Sequence, residues 1–437
     1  MERRQYRAPR GVRDVLPEEI PAWRALEETA HRLARLRGFR EIRPALLEEL
    51  ALFTRSVGEV TDIVQKEMFT LQKGETELAL RPEGTAGIVR AYLEAGYAKT
   101  EPVQRLYHVG PMFRYERPQK GRERMFTQFD VEALGSLDPR LDAEVILLAA
   151  DFFEEFGLSN IEVRLNSMGD GDDRDRWREA VRAFLAPTIA ERCDQCRERF
   201  ERNVLRVLDC KNPRCKELNA GAPSILRFLS DENARHFECV QELLGAQHRK
   251  VVIDSGIVRG LDYYTRTVFE IHAPALGARS ALCGGGRYDH LVRDLGGPDL
   301  GAVGFAIGFT ATLVLLRDLG VLVEFVEPPA QVYVALAGEG DVERAVLERE
   351  AFAVAAMLRA AGVSCIYDVE GRSLKAQMKQ AGKGGHPFAV VLGPEEAQRR
   401  TVQLKDLSTG DQREITRDAL VDAIRTAEAL PRKPAPA

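Results

Sequence analysis

The sequence predicts an α+β chain interrupted by a helical insertion and followed by a separate small α/β domain. Three observations predict it. The first 165 residues mix helix-period and strand-like apolar runs, residues 166–245 lose the strand texture, and residues 331–430 alternate strand with helix. The length, 437 residues, fits two or three domains. An apolar share of 45% and a charged share of 30% are those of a soluble globular chain, and 36 glycines with 21 prolines are too few for a collagenous or low-complexity one.

Residues 1–13 carry five arginines and no apolar h-region, so no secretory signal is expected. No apolar run approaches the roughly 18 residues of a membrane span, which makes a cytoplasmic chain without membrane contact the expectation. Ile20, Trp23, Leu26, Ala30, Leu33 and Leu36 recur at three- and four-residue steps, and Gly38 sits where a helix C-cap belongs. Phe39–Arg43 reads as a strand ended by Pro44. Arg105–Val109 and Met125–Leu134 read as strands on either side of a polar loop, and Glu144–Phe156 as a helix closed by Gly157. Residues 170–250 are rich in Asp, Glu and Arg and read as helical; an insertion over 166–245 is expected. From Val251 the β texture returns through Phe269–His272 and Gly284–Asp289, completing the interrupted domain over 246–322. A linker over 323–330 ends in Pro328-Pro329. Beyond it, Val332–Ala337, Cys365–Val369, Phe388–Leu392 and Thr401–Leu407 read as strands. Val342–Ala361, Ser373–Lys383 and Arg417–Glu428 read as helices. The tail 431–437 has the composition of a disordered segment.

The formal net charge of −5 argues against a protein that coats nucleic acid non-specifically, but allows a local basic site. Seven cysteines without a signal segment fit free thiols or a metal site better than a disulfide framework. Cys193-x-x-Cys196 and, after thirteen intervening residues, Cys210-x₄-Cys215 approach zinc-ribbon spacing. The second pair is looser than C-x-x-C, so reduced thiols are the simpler reading and a structural zinc the other. The histidines show no metal pattern.

Four segments carry chemistry. Leu80-Arg81-Pro82-Glu83-Gly84-Thr85 sets a carboxylate and a hydroxyl beside a glycine; its plain structural reading is a turn with Thr85 as helix N-cap. Phe113–Arg124 is a polar hairpin rich in arginine. Its flanks place Arg114 and Glu116, then Gln128, Asp130 and Glu132, at alternating positions. Such a face cannot be buried dry, because unpaired charges cost several kcal/mol each; it must meet water or a polar ligand. The third segment is Val258-Arg259-Gly260-Leu261-Asp262-Tyr263-Tyr264, and the fourth Cys283-Gly284-Gly285-Gly286-Arg287-Tyr288-Asp289, whose glycines let a backbone or flat ligand lie close. No Walker A sequence or G-x-G-x-x-G fingerprint is present.

Together these segments resemble histidyl-tRNA synthetase, a class II aminoacyl-tRNA synthetase. Gly38–Pro44 resembles the class motif 1, Phe113–Phe126 motif 2, and Arg259–Tyr264 with Gly284–Asp289 the two histidine signatures. The similarity runs from Arg10-Gly11-Val12-Arg13-Asp14 to Gly371-Arg372-Ser373-Leu374-Lys375. The resemblance implies an antiparallel-sheet catalytic domain, split as 1–165 and 246–322, and a C-terminal α/β anticodon-binding domain. It implies L-histidine, ATP with Mg²⁺, and tRNA(His) as partners, and a homodimer built on motif 1. By the same resemblance Arg114 and Arg259 are the catalytic arginines, both on the ATP phosphates. Glu83, Gly84, Thr85, Gln128, Glu132, Tyr263, Tyr264 and Tyr288 hold histidine, Glu116 and Arg122 lie near ATP, and Arg117 and Gln119 meet the tRNA acceptor end. Lys375, Lys379 and Lys383 share one helix face, a solvated face by default and an RNA contact by resemblance.

The motif 3 helix departs from the family. It reads Gly308-Phe309-Thr310-Ala311-Thr312, with Ala311 where an arginine grips the outer phosphates of ATP. Arg317 lies about 9 Å further along a helix and cannot replace it directly. Either another cation serves, or the chain is a non-aminoacylating paralogue: a regulatory subunit of ATP phosphoribosyltransferase, or a tRNA sensor.

Overall fold

The structure, a computed structural model, describes residues 6–57, 61, 63–208, 210–257, 263–274, 276, 281–321, 328–338 and 340–428. Arg259, Gly260, Leu261 and Asp262, most of the expected linker, and the tail 431–437 lie outside the described residues. The chain divides into two compact units, Met1–Phe325 and Val326–Ala437. Among the described residues no helix is long and apolar enough to cross a membrane.

The first unit is built on an eight-stranded sheet. Its order is Arg40–Glu41, Gln104–Phe113, Met125–Leu134, Ala302–Gly308, Ala281–Arg287, Thr265–His272, Glu162–Ser167, Lys250–Ile253. The sheet is antiparallel except at its two edges, where Arg40–Glu41 and Lys250–Ile253 run parallel to their neighbours. Helices Ile20–Leu36, Pro139–Glu154, Asp231–Ala246 and Phe309–Asp318 bury apolar residues in one core with Phe129, Val131 and Ala133 of the sheet. Phe152 stacks on Phe309 with ring centroids 5.9 Å apart. Each aromatic so buried contributes about 2–3 kcal/mol. Because strand side chains alternate, Gln128, Asp130 and Glu132 of the same strand occupy the opposite face.

The first helix spans Ile20–Leu36 as its periodicity predicts, and Gly38 follows at φ +73°, a conformation glycine adopts without strain. The helix expected from Glu144 begins five residues earlier, at Pro139. Asp138 caps it by accepting a hydrogen bond from the Arg140 amide, and Pro139 occupies the first turn, where no amide hydrogen is needed. The strand expected at Arg105–Val109 continues through Gly110-Pro111 to Phe113, paired with Met125–Leu134 throughout. That expected at Phe39–Arg43 shortens to Arg40–Glu41. A three-stranded sheet of Leu47–Glu49, Thr76–Leu80 and Phe69–Lys73 is an addition to the sequence reading.

Short helices between Asp172 and Arg227 gather around their own core, which includes Trp177, Val181, Leu185, Cys196, Leu205, Cys215 and Ile225. Helix Asp231–Ala246, expected inside the insertion, instead places Phe237, Val240 and Leu244 in the main core. The expected boundary at 166 falls within the strand Glu162–Ser167.

The second unit carries a five-stranded sheet ordered Cys365–Tyr367, Val332–Leu336, Phe388–Leu392, Thr401–Asp406, Gln412–Thr416. The first three strands are parallel and the last two antiparallel additions. Helices Asp341–Ala360, Leu374–Lys383 and Arg417–Glu428 occur near the expected positions, and a short helix Pro394–Arg399 is added.

Candidate active site

On the face of the sheet away from the apolar core, Gln128, Asp130 and Glu132 lie opposite Gly308, Ala306 and Gly304 in register. The small partners leave the room. A Cβ on Gly304 would sit 1.8 Å from Glu132 Oε2, and one on Gly84 2.5 Å from Asp130 Oδ2. Above this floor the helix Thr85–Glu94 begins. Its N-cap is Gly84, not Thr85 as the local pattern suggested. The capping carboxylate is that of Glu83, which accepts hydrogen bonds from the amides of Thr85 (2.8 Å) and Ala86 (2.9 Å). Thr85 is thereby free to donate its hydroxyl to Glu132 Oε1 at 2.6 Å. The Tyr288 hydroxyl donates to the other oxygen of Glu132. Tyr263 stands edge-on to Tyr288, their centroids 5.5 Å apart, and Tyr264 packs behind Tyr263 in the core of the helical segment.

Three carboxylates, Glu83, Asp130 and Glu132, are thus 5% exposed or less within one pocket. Burial drives the protonation equilibrium of each upward, and the charge of Glu83 adds to the effect on Asp130 and Glu132. Neither oxygen of Asp130, nor Oε1 of Gln128, has a hydrogen-bond partner among the described residues. Buried acceptors left unpaired cost about 1–3 kcal/mol each, so the pocket is arranged for donors it does not itself contain. Burial and Glu132 together push the Tyr288 phenol well above its ordinary range, which keeps it a donor.

Beside Asp130, on the same face of the sheet, lies a pair whose roles the sequence concealed; His108 is the cross-strand neighbour of Asp130. Arg81, fully buried, donates to the carbonyls of Pro111 and Pro44, both at 2.9 Å, and to His108 Nε2 at 2.7 Å. His108 Nδ1 is 2.9 Å from the Ile42 carbonyl and must carry the proton, so Nε2 is the acceptor and the ring is neutral. Burial, and then Arg81, lower the His108 pKa to about 4, in agreement with that tautomer. Arg81 and Arg114 partly offset the negative charge on Asp130.

Beside the carboxylate pocket an open cavity of about 180 Å³ is lined by Arg114, Glu116, Arg122, Glu123, Phe126 and Ala311, among others. Arg114 donates from Nε to the Pro82 carbonyl (2.8 Å), its guanidinium lies 5.4 Å from the Phe126 ring centroid, and Nη1 is 3.9 Å from Glu116. Arg122 reaches Glu116 at 3.4 Å. The loop tip is a turn closed by reciprocal backbone bonds between Gln119 and Arg122 (3.1 and 2.8 Å), with Gly121 at φ +80° packed against Ala311. Arg117 and Gln119 are exposed on this tip. Arg317 is turned elsewhere, with Nη2 3.9 Å from Glu19.

The Gly-Gly-Gly-Arg-Tyr-Asp segment divides its labour. Tyr288 enters the pocket, while Arg287 is buried in ion pairs with Asp142 and Asp289, both at 2.8 Å. The four thiols of Cys193, Cys196, Cys210 and Cys215 converge within the helical segment. In the second unit Lys375, Lys379 and Lys383 are exposed on the helix face opposite the buried Gln377 and Ala381.

Known proteins resemble the chain over most of its length. A profile described as histidyl-tRNA synthetase matches residues 11–312, and one described as an anticodon binding domain matches residues 331–427. The histidine–tRNA ligase of Moorella thermoacetica is 46% identical over 423 residues, covering 95% of this chain and 97% of that protein. That of Desulforamulus reducens is 44% identical over 415 residues, 94% and 97% of the two chains. The crystal structure of apo S. aureus histidyl-tRNA synthetase superposes with a TM-score of 0.79 at 33% identity, over 96% of this chain and 100% of that one. The carboxylate pocket, the arginine-lined cavity beside it and these matches lead to one conclusion: the chain belongs to the histidyl-tRNA synthetase family.

Proposed function

We propose that the chain is a histidine–tRNA ligase whose carboxylate pocket takes L-histidine and whose adjoining cavity takes ATP. The observation that carries the assignment is the set of three buried carboxylates with unpaired acceptors on Asp130 and Gln128. A ligand bearing an ammonium group and an imidazole N–H supplies the missing donors and positive charge. Glu132, held by Thr85 and Tyr288, accepts the imidazole N–H, and Glu83, Gln128 and Asp130 surround the amino end. An apolar analogue would leave these groups unpaired, which is the basis of strong discrimination.

In the first step a carboxylate oxygen of histidine attacks the α-phosphorus of ATP, and pyrophosphate leaves. In the second, a hydroxyl of the terminal ribose of tRNA attacks the histidyl carbonyl, and AMP leaves. Arg114 is assigned the α-phosphate, and Arg259 the charge developing there. Both act by position and electrostatics, with no protein nucleophile. Mg²⁺ arrives with the phosphates; Glu116 and Glu123, which line the same cavity, are oxygen donors of the kind it takes, and the ion neutralises phosphate charge. Arg122, which lines the cavity with Arg114 and Ala311, is assigned to the outer phosphates in place of the motif 3 arginine. Arg117 and Gln119 on the loop tip are assigned to the acceptor end, and Lys375, Lys379 and Lys383 to the anticodon arm. A cytoplasmic homodimer completes the reading.

The names of the curated relatives and the anticodon-domain match over 331–427 support a ligase over a regulatory paralogue or a tRNA sensor. Transfer of labelled histidine to a tRNA(His) transcript tests it. Alkali-labile charging with histidine, and none with other amino acids, is expected; tRNA binding without charging would favour the sensor.

A further inference from the structure

The four cysteines of the helical segment are the cluster of reactive groups that the ligase chemistry leaves unused. Their Sγ atoms all lie within 4.8 Å of one another, and Cys193 Sγ is 3.8 Å from Cys210 Sγ. Four sulfurs bonded at about 2.3 Å to one tetrahedral ion stand about 3.8 Å apart. The separation is far too long for a disulfide and too short for an iron–sulfur cluster, which interposes several atoms between its thiolates. We infer that Cys193, Cys196, Cys210 and Cys215 form a tetrathiolate site for one structural zinc ion.

The local fold explains how an irregular spacing closes into a regular cage. Cys193 is the N-cap of helix Asp194–Arg202, and Cys196 follows in its first turn, its amide bonded to the Cys193 carbonyl at 2.9 Å. Asn212 caps the helix Pro213–Asn219 by accepting from the amides of Arg214 (3.0 Å) and Cys215 (3.3 Å), which brings Cys215 back to the first pair. The extra residues of Cys210-x₄-Cys215 are used in making that cap. The Cys193 amide donates to Cys215 Sγ at 3.4 Å, the backbone support that thiolate ligands receive in metal sites. Arg192 is buried alongside, bonded to the carbonyls of Cys215 (3.4 Å) and Leu218 (2.9 Å) and to Asn219 (2.6 Å). Its charge offsets part of the −2 carried by a zinc tetrathiolate. Cys196, Cys210 and Cys215 are buried, while Cys193 and Cys210 border an open cavity lined also by Lys211 and Asn212, which is a path for the ion.

Both helices joined at the cage are short, 9 and 7 residues, well under the length at which helices persist alone. Zinc fastens them to one another. Binding breaks four S–H bonds and makes four Zn–S bonds, with the protons passing to buffer and no change of oxidation state. With four protein ligands the shell is closed, so the ion has no open position for catalysis.

The full chain, purified without chelator, decides the matter by elemental analysis. About one zinc per chain is expected, released in step with thiol modification by a mercurial and followed with a metallochromic dye. Replacement by Co²⁺ should give the intense visible bands of a tetrahedral thiolate site. Cys239→Ser, outside the cluster, should keep the ion, and Cys210→Ser should lose it. Since Cys210→Ser can also unfold the segment, the wild-type measurements carry the test. Protein without bound metal whose four thiols react freely, or in which the pairs are found as disulfides, overturns the site.

Discussion

Glu132 receives two hydroxyl donors, one on each oxygen, and stays fully buried. Removing its charge leaves the shape and takes away the acceptor for an imidazole N–H. Glu132→Gln should therefore raise the KM for histidine about 10- to 100-fold, the loss of one charge-assisted hydrogen bond of about 1.5–3 kcal/mol. An unchanged KM in steady-state assays would remove Glu132 from the pocket. His108 makes a second prediction. Its pKa falls from the ordinary 6.5 to about 4 in the folded chain, so between those values the unfolded chain takes up the proton. The stability it contributes is complete above pH 6.5 and lost as pH falls toward 4, by at most about 1.4 kcal/mol per pH unit. Melting of wild type and His108→Gln at pH 7.5 and pH 5 checks this; the wild type should lose more, and equal losses would mean that His108 is not held neutral. At this scale the sequence was only partly legible. Alternation placed Gln128, Asp130 and Glu132 on one face, and the resemblance supplied a role for Gln128 and Glu132. For Asp130 the sequence shows the face and not the role, because its isolation depends on how Gly84 and Glu83 pack above it. Arg81 and His108 were hidden for the same reason, since a buried arginine and a neutral histidine have no sequence signature of their own.

Strand and helix elements explain why glycines recur at the site. Gly304 faces Glu132 across the Met125–Leu134 and Ala302–Gly308 pair, and a Cβ there would also meet the Val131 carbonyl at 2.4 Å. Backbone cannot yield cheaply to such an overlap. Gly304→Ala should displace Glu132 and reduce kcat/KM for histidine by at least about 100-fold, the equivalent of ~2.7 kcal/mol. Histidine titration by calorimetry on the folded variant checks it, and near-native affinity would show that the strands can separate without moving the carboxylate. The same scale shows which elements a sequence announces. Long helices with an apolar stripe, such as Ile20–Leu36, are read to the residue because burial repeats every third or fourth position. Pro139–Glu154 begins early because its cap, Asp138, lies outside the periodic run. The polar edge strand Gln412–Thr416 escapes notice because its side chains alternate no apolar face toward the core. The charged composition of helix Asp231–Ala246 suits the insertion, yet Phe237, Val240 and Leu244 take it into the main core.

For the whole molecule, the two units correspond to two profiles, histidyl-tRNA synthetase over residues 11–312 and an anticodon binding domain over 331–427. If Lys375, Lys379 and Lys383 meet the anticodon arm, their joint replacement by alanine should raise the KM for tRNA(His) several-fold, with a weaker dependence on salt. Histidine activation in the absence of tRNA should be unchanged, and an unchanged tRNA KM would return the three lysines to solvent. The bipartite layout was legible because alternation of strand and helix begins afresh after the proline-rich break, whereas the internal limits of the helical segment depend on packing that no local pattern records. Activation turns on Ala311 as much as on the pocket, since the resemblance implies an arginine on the outer phosphates at that position and Arg122 stands in the same cavity. Histidine-dependent exchange between ATP and pyrophosphate on the purified chain tests both together. Exchange is expected with histidine and not with other amino acids, together with a KM for ATP that rises about tenfold or more in Arg122→Ala; a chain that binds histidine without histidine-dependent exchange would show that the pocket does not serve activation.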